Sequence, residues 1–277
     1  SMSRTEVAYL GPMGTYSHLV AEKRFGHRAK LVPLPTILDV CAFVAQDPSR
    51  RGIVPIENSS GGAIHETVDI LLENRPRVHI MEELSLNVRL ALLGRRGEKT
   101  RVLYSHFAPL EHCVSWMKRH LPRVEKRVVS STAVAGQQAA SQRNAAALGN
   151  RRLAQIYGLE ILQYPVQADT PNITVFLLLG GTNPIQPRST KTTLAVHLPN
   201  KPGSLCSFLE IFRDHDINLS KLLSRPMRGC PREYAFMVDI DGAPENANVR
   251  RALAKARKVC VRMRLVGSFP CRAAYTS

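Results

Sequence analysis

The sequence predicts an α/β protein: a two-lobed unit of alternating strands and helices, then a smaller ferredoxin-like βαββαβ module. Three observations carry this. From residue 7 to 180 the chain repeats a strand–loop–helix rhythm, the pattern of an open sheet covered by helices. Within Pro171-Asn-Ile-Thr-Val-Phe-Leu-Leu-Leu-Gly180, residues 175–179 form an unbroken apolar run of the kind buried on both faces. After a proline-bearing polar linker at 182–189 the order becomes strand, helix, two strands, helix, strand. The expected domains are 4–182 and 190–272.

Residues 7–10 are a short strand running into the turn Gly11-Pro-Met-Gly14. Thr15 and Ser17 suit helix N-caps, and a helix follows to Phe25 with Gly26 as its stop. Residues 30–34 are a second strand. Thr36 caps an amphipathic helix carrying Ile37, Val40, Cys41 and Val44, ended by Asp47-Pro48. Residues 52–56 are a third strand, opening into Glu57-Asn-Ser-Ser-Gly-Gly62, and 63–74 a helix with Ile64, Val68, Leu71 and Leu72 on one face. Residues 78–93 are extended and cross to a second lobe near Glu83; the chain returns near Asp169 and Thr170. In that lobe 101–104 is a strand ending in Ser105-His106, and 109–120 a helix. A short strand at Val128-Val129 leads to Ser130-Ser-Thr132, which caps a helix over 133–141. Residues 144–157, rich in Ala and Arg, read as a helix, and 159–164 as a strand. In the last module, 192–198, 218–224, 234–240 and 261–269 are strands, with helices at 203–214 and 245–258.

Lys plus Arg number 38 against 22 Asp plus Glu, a formal net charge of +16. That balance suits nucleic acid or a small anionic substrate. The basic residues are scattered, however, and 6% aromatic content offers no platform for stacking single strands. We therefore expect a basic solvated surface, with no nucleic-acid and no membrane partner. No run approaches the roughly 18 apolar residues of a membrane span. No signal peptide is expected, and Ser1-Met2 reads as an extension ahead of the natural start. The six cysteines form no CxxC pair and read mostly as buried thiols in a reducing, cytoplasmic compartment.

In open α/β sheets ligands bind beyond the carboxyl ends of the strands. The polar residues expected there are Thr15, Ser17, Glu57, Asn58, Ser59, Ser105, His106, Thr132, Asn172 and Thr174. Singly, each has a plain structural use as a cap, a turn residue, a packed histidine or a surface carboxylate. Their common location suggests a cleft, and capped helix N-termini aimed into it favour a carboxylate ligand. There is no GxSxG, no Walker phosphate loop and no dinucleotide fingerprint. Asp214-His215-Asp216 lacks a partner at metal-ligand spacing, so no metal site is expected.

Five motifs, in order and at family spacing, resemble the prephenate dehydratases. They are Gly11-Pro-Met-Gly-Thr-Tyr-Ser17, Val54-Pro-Ile-Glu-Asn-Ser59, Tyr104-Ser-His106, Ser131-Thr-Ala133 and Asn172-Ile-Thr-Val-Phe176. The last module, with Gly203-Ser-Leu205 and Leu223-Ser-Arg-Pro226, resembles the ACT regulatory domain. The resemblance implies a type II periplasmic-binding-protein-like catalytic domain and cofactor-free conversion of prephenate to phenylpyruvate. It also implies phenylalanine feedback and a homodimer or homotetramer. It implies Thr174 as the general acid that protonates the departing C4 hydroxyl, with Ser105, His106 and Glu57 in the catalytic set. Thr15, Ser17, Asn58, Ser59, Thr132, Ala133, Asn172 and Phe176 would surround the substrate. Gly203, Ser204, Leu205, Asn218, Leu219, Ser224, Arg225 and Pro226 would bind phenylalanine.

The chain departs from the family at three places. Thr-Arg-Phe is Thr174-Val175-Phe176, Ser-His-Pro-Gln is Ser105-His106-Phe107-Ala108, and Glu-Ser-Arg-Pro begins with Leu223. An arginine missing from the cleft would weaken its hold on a carboxylate. Two alternatives stay open on that ground. One is a repurposed enzyme in the same cleft, either a hydrolase of small acyl-amides such as acyl homoserine lactones or a non-aromatising prephenate decarboxylase. The other is an inactive phenylalanine sensor.

Overall fold

The computed structural model describes residues 3–230 and 232–277; Ser1 and Met2, read above as an extension, lie outside them. The expected architecture is present: two α/β lobes and a βαββαβ module. The first lobe opens with β1 (Thr5–Leu10), α1 (Tyr16–Phe25), β2 (Ala29–Leu34), α2 (Ile37–Ala45), β3 (Arg51–Asn58), the short β4 (Gly62–Ala63), α3 (His65–Glu73) and β5 (His79–Asn87). The chain then crosses at residues 88–89, a few positions beyond the Glu83 expected. The second lobe contains β6 (Leu90–Gly94), β7 (Val102–Ser105), α4 (Phe107–His112), α5 (Val114–His120), β8 (Glu125–Val128), α6 (Thr132–Ala140), β9 (Ala145–Gly149), α7 (Arg152–Tyr157) and β10 (Glu160–Val166). β11 (Ile173–Gly180) returns to the first lobe and inserts antiparallel between β3 and β5. The last module is β12 (Lys191–His197), α8 (Ser204–Asp214), β13 (Leu219–Pro226), β14 (Tyr234–Asp241), α9 (Ala247–Val259) and β15 (Arg262–Phe269), with sheet order β13-β14-β12-β15. Finally β16 (Tyr275–Thr276) goes back to the first lobe and pairs with β5.

Two expectations fail locally. Residues 144–157 are not one helix: Ala145-Ala-Ala-Leu-Gly149 is β9, buried throughout between β6 and β7. Alanine prefers helices, but a strand covered on both faces needs small side chains, and that packing overrides propensity. The helix expected over 109–120 breaks at Cys113 into α4 and α5. The expectation of mostly buried cysteines also fails: Cys41 and Cys113 are buried, Cys230 and Cys260 are half-buried, and Cys206 and Cys271 are exposed.

One apolar core runs through both lobes, joining Tyr9, Leu86 and Phe176 of the first to Leu103, Trp116 and Leu148 of the second. The sheet of the last module docks on the first lobe through β15, which lies so close to β5 that a Cβ on Gly267 would clash with the Ile80 carbonyl oxygen. Charges fasten the same seam. Lys191 reaches Glu83 at 3.0 Å, and Glu82 receives Arg24 at 2.6 Å and Arg272 at 2.8 Å. Burial pushes the Glu82 carboxyl up, but the two guanidinium groups outweigh it and hold the carboxyl below its ordinary range. The contribution of Glu82 to stability is therefore complete above that range and lost as pH falls through the lowered value. Glu82→Gln is expected to destabilise the chain by about 3 kcal/mol at pH 7, because two guanidiniums lose their counter-charge. Urea unfolding at pH 7 and pH 4 checks this: the difference between wild type and variant shrinks in acid.

Candidate active site

A cleft of about 430 Å³ opens between the lobes, where strand ends and helix starts meet. Thr174 and Phe176 enter it from β11, because alternate residues of a strand share a face. Asn58 enters from the end of β3, His106 from the cap position of α4, and Asn172 from the crossing segment. Thr15 and Ser17 stand at the start of α1 and Thr132 at the start of α6. Eight of the residues expected around substrate are thus brought together.

The centre is a hydrogen-bond chain. Asn58 Nδ2 donates to Thr174 Oγ1 at 2.8 Å and to Asn172 Oδ1 at 3.0 Å. Asn58 Oδ1 accepts from Ser60 Oγ at 2.6 Å and from the Ser60 N–H at 2.9 Å. Ser60 Oγ also lies 3.0 Å from His112 Nε2, and His112 Nδ1 lies 3.3 Å from Thr170 Oγ1. An amide oxygen cannot donate, so the Ser60 proton points to Asn58. His112 Nε2 then donates to Ser60, and Nδ1 accepts from Thr170. The direction runs Thr170, His112, Ser60, Asn58, Thr174. Thr174 is 9% exposed, it accepts from Asn58, and its own proton has no acceptor among the described residues. Each link polarises the next, which makes the terminal hydroxyl a better donor.

Two helix N-termini face the same space. Thr15 caps α1 through the His18 N–H, and Ser131 caps α6 through the Val134 N–H. First-turn N–H groups at Tyr16, Ser17, Thr132 and Ala133 remain for a ligand. The dipoles of both helices add positive potential. No Lys or Arg lines the cleft among the described residues, and Glu111 is its acidic side chain, so this potential is the main attraction for an anion. The turn before α1 is held in shape by Gly14, whose φ is +91° and whose Cβ would meet Leu153 Cδ2 at 2.6 Å. Its N–H donates to His18 Nδ1 at 2.9 Å, and its carbonyl accepts from Asn150 Nδ2 across the lobes at 2.7 Å. Burial pushes the His106 imidazole below its ordinary value, so it stands neutral at pH 7.

Four expected residues lie elsewhere. Glu57 points to the opposite face of β3, where its carboxylate meets Lys221 of β13 at 3.3 Å. Ser105 is fully buried beneath the cleft and donates to the His106 carbonyl at 2.7 Å. Ser59 Oγ accepts from the Ile173 N–H at 2.9 Å and donates to the Pro171 carbonyl at 3.1 Å, stitching the crossing segment to the loop. The Ala133 side chain packs in the core, leaving only its N–H to serve a ligand. Val175 shares the Glu57 face. It packs against the apolar cluster that holds Ile56 and Leu177 and does not line the cleft. Ser60, His112 and Thr170 were not legible as site residues; no motif carries them, and their contacts join segments far apart in sequence.

The eight expected effector residues do not share one pocket within the chain. Gly203, Ser204 and Leu205 begin α8, and Ser204 Oγ donates to the Lys201 carbonyl. Asn218 and Leu219 line a groove of about 450 Å³ beside α8. Ser224 is exposed on β13. Arg225 and Pro226 face the first lobe, with Arg225 on Asp69 at 2.8 Å.

Residues 7–184 match the family model for prephenate dehydratase and residues 192–258 that for the ACT domain. The bifunctional chorismate mutase/prephenate dehydratase of Stutzerimonas stutzeri is 35% identical over 267 residues, covering 95% of this chain and 73% of that protein. Prephenate dehydratase from Arthrobacter aurescens, solved in complex with L-Phe, superposes with a TM-score of 0.86 at 27% identity, over 96% of this chain and 89% of that one. GqqA, described as a novel type of quorum-quenching acylase, superposes with a TM-score of 0.87 at 24% identity, over 96% and 98% of the two chains, a likeness of fold.

Proposed function

The chain belongs to the prephenate dehydratase family, and from that premise we propose that it converts prephenate to phenylpyruvate in the interlobe cleft without a cofactor. The observation that carries this is the Thr174 hydroxyl: its acceptor side is filled by Asn58 and its proton is free in a cleft flanked by two helix N-termini. Thr174 gives its proton to the C4 hydroxyl, and the C–O bond breaks to release water. The ring carboxylate leaves as carbon dioxide, and the electrons of that C–C bond complete the aromatic ring. One proton is consumed per turnover and returns to Thr174 from solvent. The substrate already stores the driving force of aromatisation, so a placed proton and a fixed geometry suffice. General acid help contributes roughly 10²–10⁴-fold. The two carboxylates rest on the N–H groups of α1 and α6, which lets the cleft work without an arginine.

The test is direct. Purified protein mixed with prephenate gives phenylpyruvate absorbance, and no product above the acid-catalysed background overturns the proposal and favours a phenylalanine sensor. A non-aromatising decarboxylase would release carbon dioxide without phenylpyruvate. An acyl-amide hydrolase would use Ser60 as nucleophile and His112 as base. The Ser60 proton is directed to Asn58 instead, which disfavours that role. Val175→Arg is expected to leave KM for prephenate nearly unchanged, because position 175 faces away from the cleft. The added guanidinium competes with Lys221 for Glu57, and thermal melting reads a small shift, on the order of 1 kcal/mol.

Phenylalanine is the proposed effector at the third sheet. β13 is a free edge of that sheet among the described residues. A homodimer or homotetramer that covers this edge would bring the divided effector residues of two chains together. We assign the catalytic unit to 4–182 and the regulatory unit to 190–272, in a cytoplasmic setting that keeps the six cysteines as thiols.

A further inference from the structure

A second cavity, of about 610 Å³, lies on the seam between α3 of the first lobe and the sheet of the last module. Five arginines line it against two carboxylates, Asp69 and Glu73. Both carboxylates are engaged. Asp69 receives Arg225 through two contacts at 2.8 and 2.9 Å, and Glu73 lies 3.4 Å from Arg228. Arg75, Arg262 and Arg264 are left with no carboxylate among the described residues.

Arg264 is the most telling of the three. Its Nη2 donates to the Leu71 carbonyl near the end of α3, while its Nη1 is buried and has no partner among the described residues. Burial pushes this guanidinium down, and Arg77 and Arg262 add repulsion. His197, on the same cavity wall, is pushed down by burial and then by Arg262 and Arg264, with Glu233 opposing. Like charges gathered in a partly dry space oppose one another unless a counter-charge joins them.

We propose that this seam binds a small multivalent oxyanion, a phosphate group or a polycarboxylate, held by Arg75, Arg262 and Arg264. Guanidinium groups match both chemistries through paired N–H donors. A zwitterionic amino acid fits poorly, because the two carboxylates that would meet its ammonium are already taken. The site reaches the cleft through one element. Ile64, the cap residue of α3, lines the catalytic cleft, and Asp69 and Glu73 of the same nine-residue helix line the seam. An anion here ties the regulatory sheet to that helix.

Calorimetric titration of the whole chain at low ionic strength tests this, with inorganic phosphate in one arm and citrate in the other. Saturable binding is expected in at least one arm, and higher salt weakens it by screening. R262Q/R264Q is expected to weaken it about tenfold or more, the loss of charge-assisted contacts. K255Q/R257Q removes the same charge from the exposed side of α9 and is expected to bind as wild type does. Because Arg264 also supports α3, R262Q is the second variant: Arg262 is exposed, its loss leaves the melting curve in place, and binding still weakens severalfold. Phosphate alone binding assigns a phosphate group, citrate alone a polycarboxylate, and both together the shared chemistry. Binding that persists undiminished in R262Q/R264Q belongs to the catalytic cleft and overturns the proposal. Absence of saturable binding in both arms, undiminished binding by R262Q, or equal losses in the two double variants overturns the proposal.

Discussion

Thr174→Val is expected to lower kcat for phenylpyruvate formation by roughly 10²–10⁴-fold, the range that a positioned general acid supplies. Valine keeps the shape and the β-branch that suit β11, so the pairing of position 174 with Asn58 and Leu86 is retained. Only the hydroxyl goes. Asn58 keeps Asn172 as an acceptor, so no buried donor is stranded outright. The melting temperature should move little while turnover collapses, and KM should change much less than kcat. Thr174→Ser restores a hydroxyl and should recover much of the rate. A valine variant that retains more than about a tenth of wild-type kcat would remove Thr174 from the role of acid.

Asn58→Leu is expected to reduce kcat by roughly tenfold to hundredfold, the effect of removing a hydrogen bond of about 1–3 kcal/mol from a partly buried group. The mechanism differs from the first case. Thr174 keeps its proton but loses the donor that polarises it and fixes its rotamer. Ser60 loses its acceptor at the same time, so the link to His112 ends before reaching the acid. His112→Gln retains a donor and an acceptor and should act far more mildly than His112→Phe. Steady-state kinetics on the three variants separates a working relay from incidental contacts. Equal rates for His112→Gln and His112→Phe would show that the chain ends at Asn58.

Much of the site was legible because strand ends and helix caps carry local signals. Thr15 and Thr36 cap as expected, through hydroxyls that accept from the N–H three positions on, whereas Ser131 takes the cap expected of Thr132, and Ser17 lies inside the first turn of α1. The apolar run of β11 marked the central strand correctly. Its period of two also held the answer about Val175: if Thr174 and Phe176 face the cleft, the residue between them cannot. An arginine at position 175 would therefore lie on the face shared with Glu57 and Lys221, the side of the last module. β9 was missed because its alanines carry helix propensity while its place between β6 and β7 is set by distant partners. The Ser60–His112 contact and the seam arginines were beyond reach for a similar reason. Arg75 and Arg264 become neighbours only after the last module docks on the first lobe.

That docking has a consequence for how the chain folds. The sheet that opens with β1 is completed at its far edge by β16, and the Arg89 N–H meets Ser277 Oγ across 188 positions of sequence. The βαββαβ module draws all its strands from one continuous stretch and can collapse on its own contacts. The first lobe cannot: β5 waits with an open edge until Tyr275 and Thr276 arrive. Such long-range pairing folds slowly, and an unpaired edge invites association with other chains meanwhile. The sheet that holds β1 thus reaches its full strand order only when β16 pairs with β5.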